Sequence, residues 1–216
     1  MTIEKKDPPQ DDEKSKDLII FPDLFDSDPK SRLLGLYGDV NEEHCRNILS
    51  GLYYFRDTGV IEENTEPDEE KDPIIEKTYL PIDFVISTEG GSVVDMFAVY
   101  DCIRDVRKDC EINTFGVGKV MSAGVLLLAG GTKGKRRVGR NCRLMLHALS
   151  GGQFGSLKEL ETDIKEVKWY QTQYIKALAK ETNLQEKEIR SIVRKKTDTY
   201  FDAEQAVEWG IADEVV

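Results

Sequence analysis

Apolar and polar positions along this chain of 216 residues repeat with two different periods. From Ile82 to Ile86 they alternate with period two, the pattern of a strand that buries one face, and Arg32 to Tyr37 and Cys110 to Val117 also read as strands. Between them the period lengthens to that of a helix. Cys45, Ile48, Leu49, Leu52 and Tyr53 form an i, i+3, i+4, i+7, i+8 stripe, and Val93, Met96, Phe97, Tyr100 and Ile103 line one face of a helix predicted from Ser92 to Arg107. Strands alternating with helices predict right-handed βαβ crossovers and a largely parallel sheet, an α/β fold.

Farther along, Ser156-Leu-Lys-Glu159 is a capping box that opens a long helix predicted over 156–180, striped by Leu157, Leu160, Ile164, Val167, Tyr170, Tyr174 and Leu178. Asp202 is read as the N-cap of the last helix, with Gln205 completing a second capping box. Two stretches break the pattern. Residues 1–17 are dominated by charge and proline and read as a disordered tail, which leaves 18–216 as one folded domain. Residues 58–78 hold seven acids between Glu62 and Asp72 together with Pro67 and Pro73, and predict an exposed acidic insertion.

Composition narrows the class without naming the chemistry. With 39% hydrophobic and 33% charged residues the chain can build one substantial core, and no stretch approaches the ~20 apolar residues that span a membrane. The N-terminus has no apolar signal core, and Cys45, Cys102, Cys110 and Cys142 are scattered without a C-x-x-C pair. We therefore expect a cytoplasmic protein with no disulfide framework, no metal site and no cofactor. A net charge of −11 argues against a nucleic-acid partner, which needs clustered cations. Lys133-Gly-Lys-Arg-Arg137 is the one basic cluster, but the P-loop spacing fails at Ala129 and Arg136. Gly116-x-Gly118 lacks the third glycine of a dinucleotide fingerprint.

The candidate chemistry lies in Ser122, His147 and Asp198. Ser122 stands where a β-type run ends in glycines and an apolar helix begins, so the free N–H groups of the first helical turn lie beside its hydroxyl and can hold a developing oxyanion. Ser122, Ala123 and Gly124 are also small enough to serve only close helix packing, and Val120 replaces the first glycine of the G-x-S-x-G elbow. His147 ends the apolar run Arg143-Leu-Met-Leu and is one of two histidines; neutral imidazole is the usual base for a serine hydroxyl. The other, His44, follows Asn41-Glu-Glu at a helix start and reads as a surface residue. Asp198 lies between two helical patterns, where a carboxylate can orient the histidine and stabilise its imidazolium.

The segments Gly118-Lys-Val-Met-Ser-Ala-Gly-Val-Leu-Leu-Leu-Ala-Gly-Gly, Asn141-Cys-Arg-Leu-Met-Leu-His147 and Ile86-Ser-Thr-Glu-Gly-Gly-Ser, with the stretch from Asp198 to Asp213, resemble the proteolytic subunit of the Clp protease, ClpP. The likeness runs from about Arg32 to the C-terminus. It implies a crotonase/ClpP-like fold and a Ser122, His147, Asp198 triad. It also implies an oxyanion hole from the N–H groups of Gly91 and Ala123, and a peptide-binding edge at Gly90, Gly151 and Gly152. Further implications are an ATP-independent serine endopeptidase acting on peptides or unfolded polypeptides, two stacked heptameric rings joined through the long helix as a protruding handle, and an AAA+ unfoldase partner. The chain departs from the family pattern at Glu89, where a proline is usual, at Ala123, where methionine is usual, and in Ala148-Leu-Ser after the histidine. Asp83 and Val85 replace aromatics of the usual docking pocket. A non-catalytic ring subunit and a crotonase-fold acyl-CoA enzyme remain as rival readings.

Overall fold

Strand β4 (Ile82–Thr88) shows why the sheet forms where the alternation predicts it: Ile82, Phe84 and Ile86 are fully buried and Asp83 between them is exposed. In the computed structural model, which describes residues 31–64, 75–151, 154–195 and 197–216, β4 lies between two parallel neighbours. One is β1 (Leu33–Tyr37) and the other β5 (Ile112–Met121). β5 in turn pairs in parallel with β6 (Arg137–Val138) near its middle and with β7 (Arg143–Leu146) near its end, and β6 pairs with β9 (Glu214–Val215). Among the described strands of this sheet only β8 (Thr199–Phe201) runs antiparallel, along β7. The sheet is largely parallel, as expected of the α/β reading. The predicted tail, residues 1–17, and Gly152 lie outside the described residues.

The expected helices α1 (Glu42–Thr58) and α2 (Val93–Val106) link these strands, capped by Asn41 and Ser92. The buried residues of α1, Cys45, Ile48 and Leu52, all belong to its apolar stripe; α2 buries Met96, Tyr100 and Ile103 of its stripe and also Val99, Cys102 and Val106 outside it, so its buried face is wider than predicted. Helix α3 (Ala123–Ala129) is buried at every position, and a Cβ on Gly124 would collide with Thr88, so small residues here do serve close packing. Helix α4 (Leu157–Glu181) starts behind Ser156 with both halves of the capping box formed. It is followed by α5 (Glu186–Val193) and α6 (Ala203–Glu208).

The structure corrects two expectations. The strand read as Cys110 to Val117 continues to Met121, because one residue of β4 faces three of β5 and Gly118, at φ 64°, absorbs the bulge before pairing resumes. Glycines that look like a strand end are a kink within it. At α6 the box is one-sided: Asp202 accepts from the Gln205 N–H, while the Gln205 side chain turns to Glu208. Within the segment 58–78, β2 (Val60–Asn64) and β3 (Ile75–Tyr79) pair as an antiparallel two-stranded sheet; residues 65–74 lie outside the described set. His44 is partly exposed, in keeping with a surface residue, and its ring Nδ1 lies 2.8 Å from the Asp39 carbonyl.

Two buried ion pairs fasten the C-terminal segments to this frame. Glu181, at the end of α4, takes Arg107 through two hydrogen bonds (2.7 and 3.0 Å) and the Tyr100 hydroxyl at 2.7 Å. Arg136 binds Asp213 at 2.6 and 2.9 Å and reaches the Glu181 carbonyl at 2.8 Å. Burial pushes both carboxyls up, but the hydrogen bonds and charge of these arginines outweigh it and hold each below the usual carboxylate range.

Candidate active site

β5 delivers Ser122 to the first helical residue of α3 through a turn that ordinary side chains avoid. Ser122 has φ 52° and ψ −116°, the sole positive φ at a non-glycine residue among the described residues. Such a conformation costs of order 1–3 kcal/mol and persists only when its surroundings impose it. Here the Ser122 N–H donates to the Met145 carbonyl at 2.9 Å, and the Ser122 carbonyl accepts from Val125 N–H at 3.1 Å and from the Tyr174 hydroxyl at 2.8 Å. The hydroxyl side faces a glycine by necessity, since a Cβ on Gly90 would lie 2.6 Å from Ser122 Cβ.

Sheet register brings the other two residues to the serine. Met121 pairs with Met145, so the residue after β7, His147, arrives beside Ser122; Nε2 lies 2.8 Å from Ser122 Oγ. Leu146 pairs across the antiparallel ladder with Thr199, so His147 and Asp198 stand opposite each other at its end. Nδ1 is 3.9 Å from Asp198 Oδ1, ion-pair range but too long for a hydrogen bond. Three residues from three distant parts of the sequence thus meet in one place, with the serine and histidine directly bonded. His44 is not among them.

Around the serine runs a cleft of about 340 Å³ lined by Gly91, Ala123, Leu149, Tyr170 and Tyr174 among others. Gly90 (φ 106°) and Gly91 (φ 147°) occupy backbone regions that favour glycine, and a Cβ on Gly91 would strike the Val40 carbonyl. Val40 grips the pair from behind: its N–H donates to Gly90 O at 2.8 Å and its carbonyl accepts from Ser92 N–H at 2.8 Å. Glu89, at the cleft rim, takes a 2.6 Å hydrogen bond from Lys119 that holds its carboxyl below the usual range. Gly151 is exposed, with open space where a Cβ would sit.

Sequence reasoning missed Val40, Tyr174 and Gln171, whose Oε1 accepts from Leu149 N–H at 2.8 Å. Tyr174 was legible only as one more apolar position of the α4 stripe, and a side chain that bonds a distant carbonyl leaves no periodic mark.

Residues 75–216 match the Clp protease family. The chain belongs to the Clp protease family. The match takes in β4, the glycine pair, Ser122, His147, α4 and Asp198, while β1 and α1 lie upstream of it although the likeness was read from about Arg32. A Clp-type serine protease, acting in proteolysis, is the class to which this membership assigns the chain. No helix among the described residues is long and apolar enough to cross a membrane.

Proposed function

We propose that the protein is a serine endopeptidase that cleaves peptides and unfolded polypeptides through an acyl-enzyme on Ser122. The observation that carries this reading is the 2.8 Å contact between His147 Nε2 and the hydroxyl of the strained Ser122. Neutral imidazole accepts the hydroxyl proton as Oγ attacks the scissile carbonyl carbon, and the carbonyl π electrons move to its oxygen. The N–H groups of Gly91 and Ala123 receive that oxyanion, each donor being worth about 10²–10³ in rate. Collapse re-forms the carbonyl and breaks the C–N bond, and the imidazolium gives its proton to the departing amine. Water then repeats the sequence on the ester, with His147 again as base, and frees the acid. Asp198 orients His147 and stabilises its charged form; its half-exposed carboxylate needs a shift of about 1 Å to hydrogen-bond Nδ1. None of these steps consumes ATP or calls on a metal or cofactor.

By family resemblance an extended substrate lies along Gly90, Gly151 and Gly152; Gly151 is exposed, which supports this, whereas the N–H and C=O of buried Gly90 are taken by Thr88 Oγ1 and Val40 N–H. The cleft is modest, so substrate selection falls to access rather than to a deep side-chain pocket. Leu157, Ile164, Val167 and Trp169 are exposed on α4, which supports a helix that docks against another copy, in the stacked seven-membered rings that family resemblance implies. An AAA+ unfoldase feeding such a chamber, in the cytoplasm, belongs to the same reading.

The test is cleavage of a short fluorogenic peptide by wild type and Ser122→Ala at equal particle size. Wild type turns over, and the variant loses on the order of 10⁴-fold or more. Equal rates contradict the proposal.

A further inference from the structure

The two backbone donors assigned to the oxyanion belong to peptide groups whose opposite ends are both pinned. A trans peptide is planar, so its C=O and N–H point in opposite directions and turn together. Ala123 N–H shares its plane with the Ser122 carbonyl, which accepts the Tyr174 hydroxyl at 2.8 Å. Gly91 N–H shares its plane with the Gly90 carbonyl, which accepts Val40 N–H at 2.8 Å. Behind each donor, on the far side of the same plane, stands a hydrogen bond that fixes its aim.

We infer that Tyr174 is a positioning residue for the reaction on Ser122: its hydroxyl holds the Ser122–Ala123 peptide plane so that Ala123 N–H points at the oxyanion. The inference rests on the peptidase reading above. Three features make Tyr174 suited to it. Its side chain is buried, and so are Ile175 and Leu178 on the same helix, so the hydroxyl has a fixed origin. Burial pushes its ionisation above the ordinary tyrosine range, so it remains a donor at any working pH. The plane it holds follows a residue at φ 52°, which relaxes toward an ordinary conformation unless restrained. A donor on the carbonyl also polarises the same peptide, making its N–H a stronger donor.

The molecule supplies its own control. Tyr100 is likewise buried, and its hydroxyl donates to Glu181 at 2.7 Å, remote from the serine. If buried tyrosine hydroxyls matter here only for folding, Tyr100→Phe and Tyr174→Phe behave alike. In Tyr174→Phe the Ser122 carbonyl keeps its bond from Val125 N–H, so no polar group is orphaned and the fold is retained.

The experiment measures kcat and KM on a fluorogenic peptide, the rate of fluorophosphonate modification of Ser122, and thermal melting, for the full chain and both variants. Tyr174→Phe lowers kcat and the modification rate together by about 10-fold, less than deleting a donor outright, with KM within about twofold of wild type. Tyr100→Phe lowers melting temperature but keeps kcat. Tyr174→Met, which fills similar space without a donor, shows the same kcat loss and decides the matter if the phenylalanine variant does not fold. Wild-type kcat in a folded Tyr174 variant, or activity that falls in step with stability in both tyrosine variants, overturns the inference alone. A wild-type protein that is unmodified at Ser122 overturns the peptidase reading and the inference with it.

Discussion

Helix α4 is one continuous amphipathic element, yet its two halves live in different surroundings. From Leu157 to Trp169 most apolar side chains face solvent, with Leu157 74%, Ile164 53% and Trp169 54% exposed, and Leu160 is partly buried. From Tyr174 to Glu181 the same helix buries Tyr174, Ile175, Leu178 and Glu181 and bonds to the serine turn and to Arg107. An uninterrupted stripe therefore does not mean an uninterrupted core. The second half supports the site, and the first half presents apolar surface whose burial requires another surface.

That contrast makes opposite predictions for substitutions a few turns apart. The largest effect on protomer stability is expected from Glu181→Ala, which leaves Arg107 without its carboxylate in a mostly buried position; loss of one partner of such a pair costs about 3–5 kcal/mol, read from denaturant unfolding. A smaller loss follows acidification. Glu181 and Asp213 are held below their ordinary values in the folded protein, so the stability they contribute is complete above the unfolded carboxyl values of about 4 and is lost as pH falls through the folded ones. Melting temperature should fall with pH in that window in wild type, and more shallowly in Glu181→Ala. The smallest effect on the protomer belongs to Ile164→Asp, expected within about 0.5 kcal/mol of wild type while sedimentation shows the assembly split. An Ile164→Asp protein destabilised as much as Glu181→Ala erases the distinction between the halves.

Legibility in the sequence followed the physics of each signal. The alternation of Ile82, Phe84 and Ile86 and the capping box at Ser156 were visible because burial and capping act on residues close in sequence. β8 was not, since three residues long and with only Phe201 buried, it carries no period of its own and exists through pairing with β7. The bulge at Gly118 was hidden for a related reason: a glycine reads as a strand end unless the neighbouring strand is known. Ser122 and His147 could be nominated from their positions at strand ends, and the geometry brings them to 2.8 Å. The Tyr174 bond to Ser122 spans 52 positions, and nothing near either residue announces it.

The account stands most directly on one chemical fact, the reactivity of Ser122 toward an acyl-transfer probe. Incubation of the wild-type protein and His147→Ala with a fluorophosphonate, followed by peptide mapping, reads it without needing the natural substrate. The account predicts a single adduct on Ser122 in wild type and a rate lower by on the order of 10³-fold or more without the histidine. An adduct elsewhere, or equal rates in the two proteins, contradicts it.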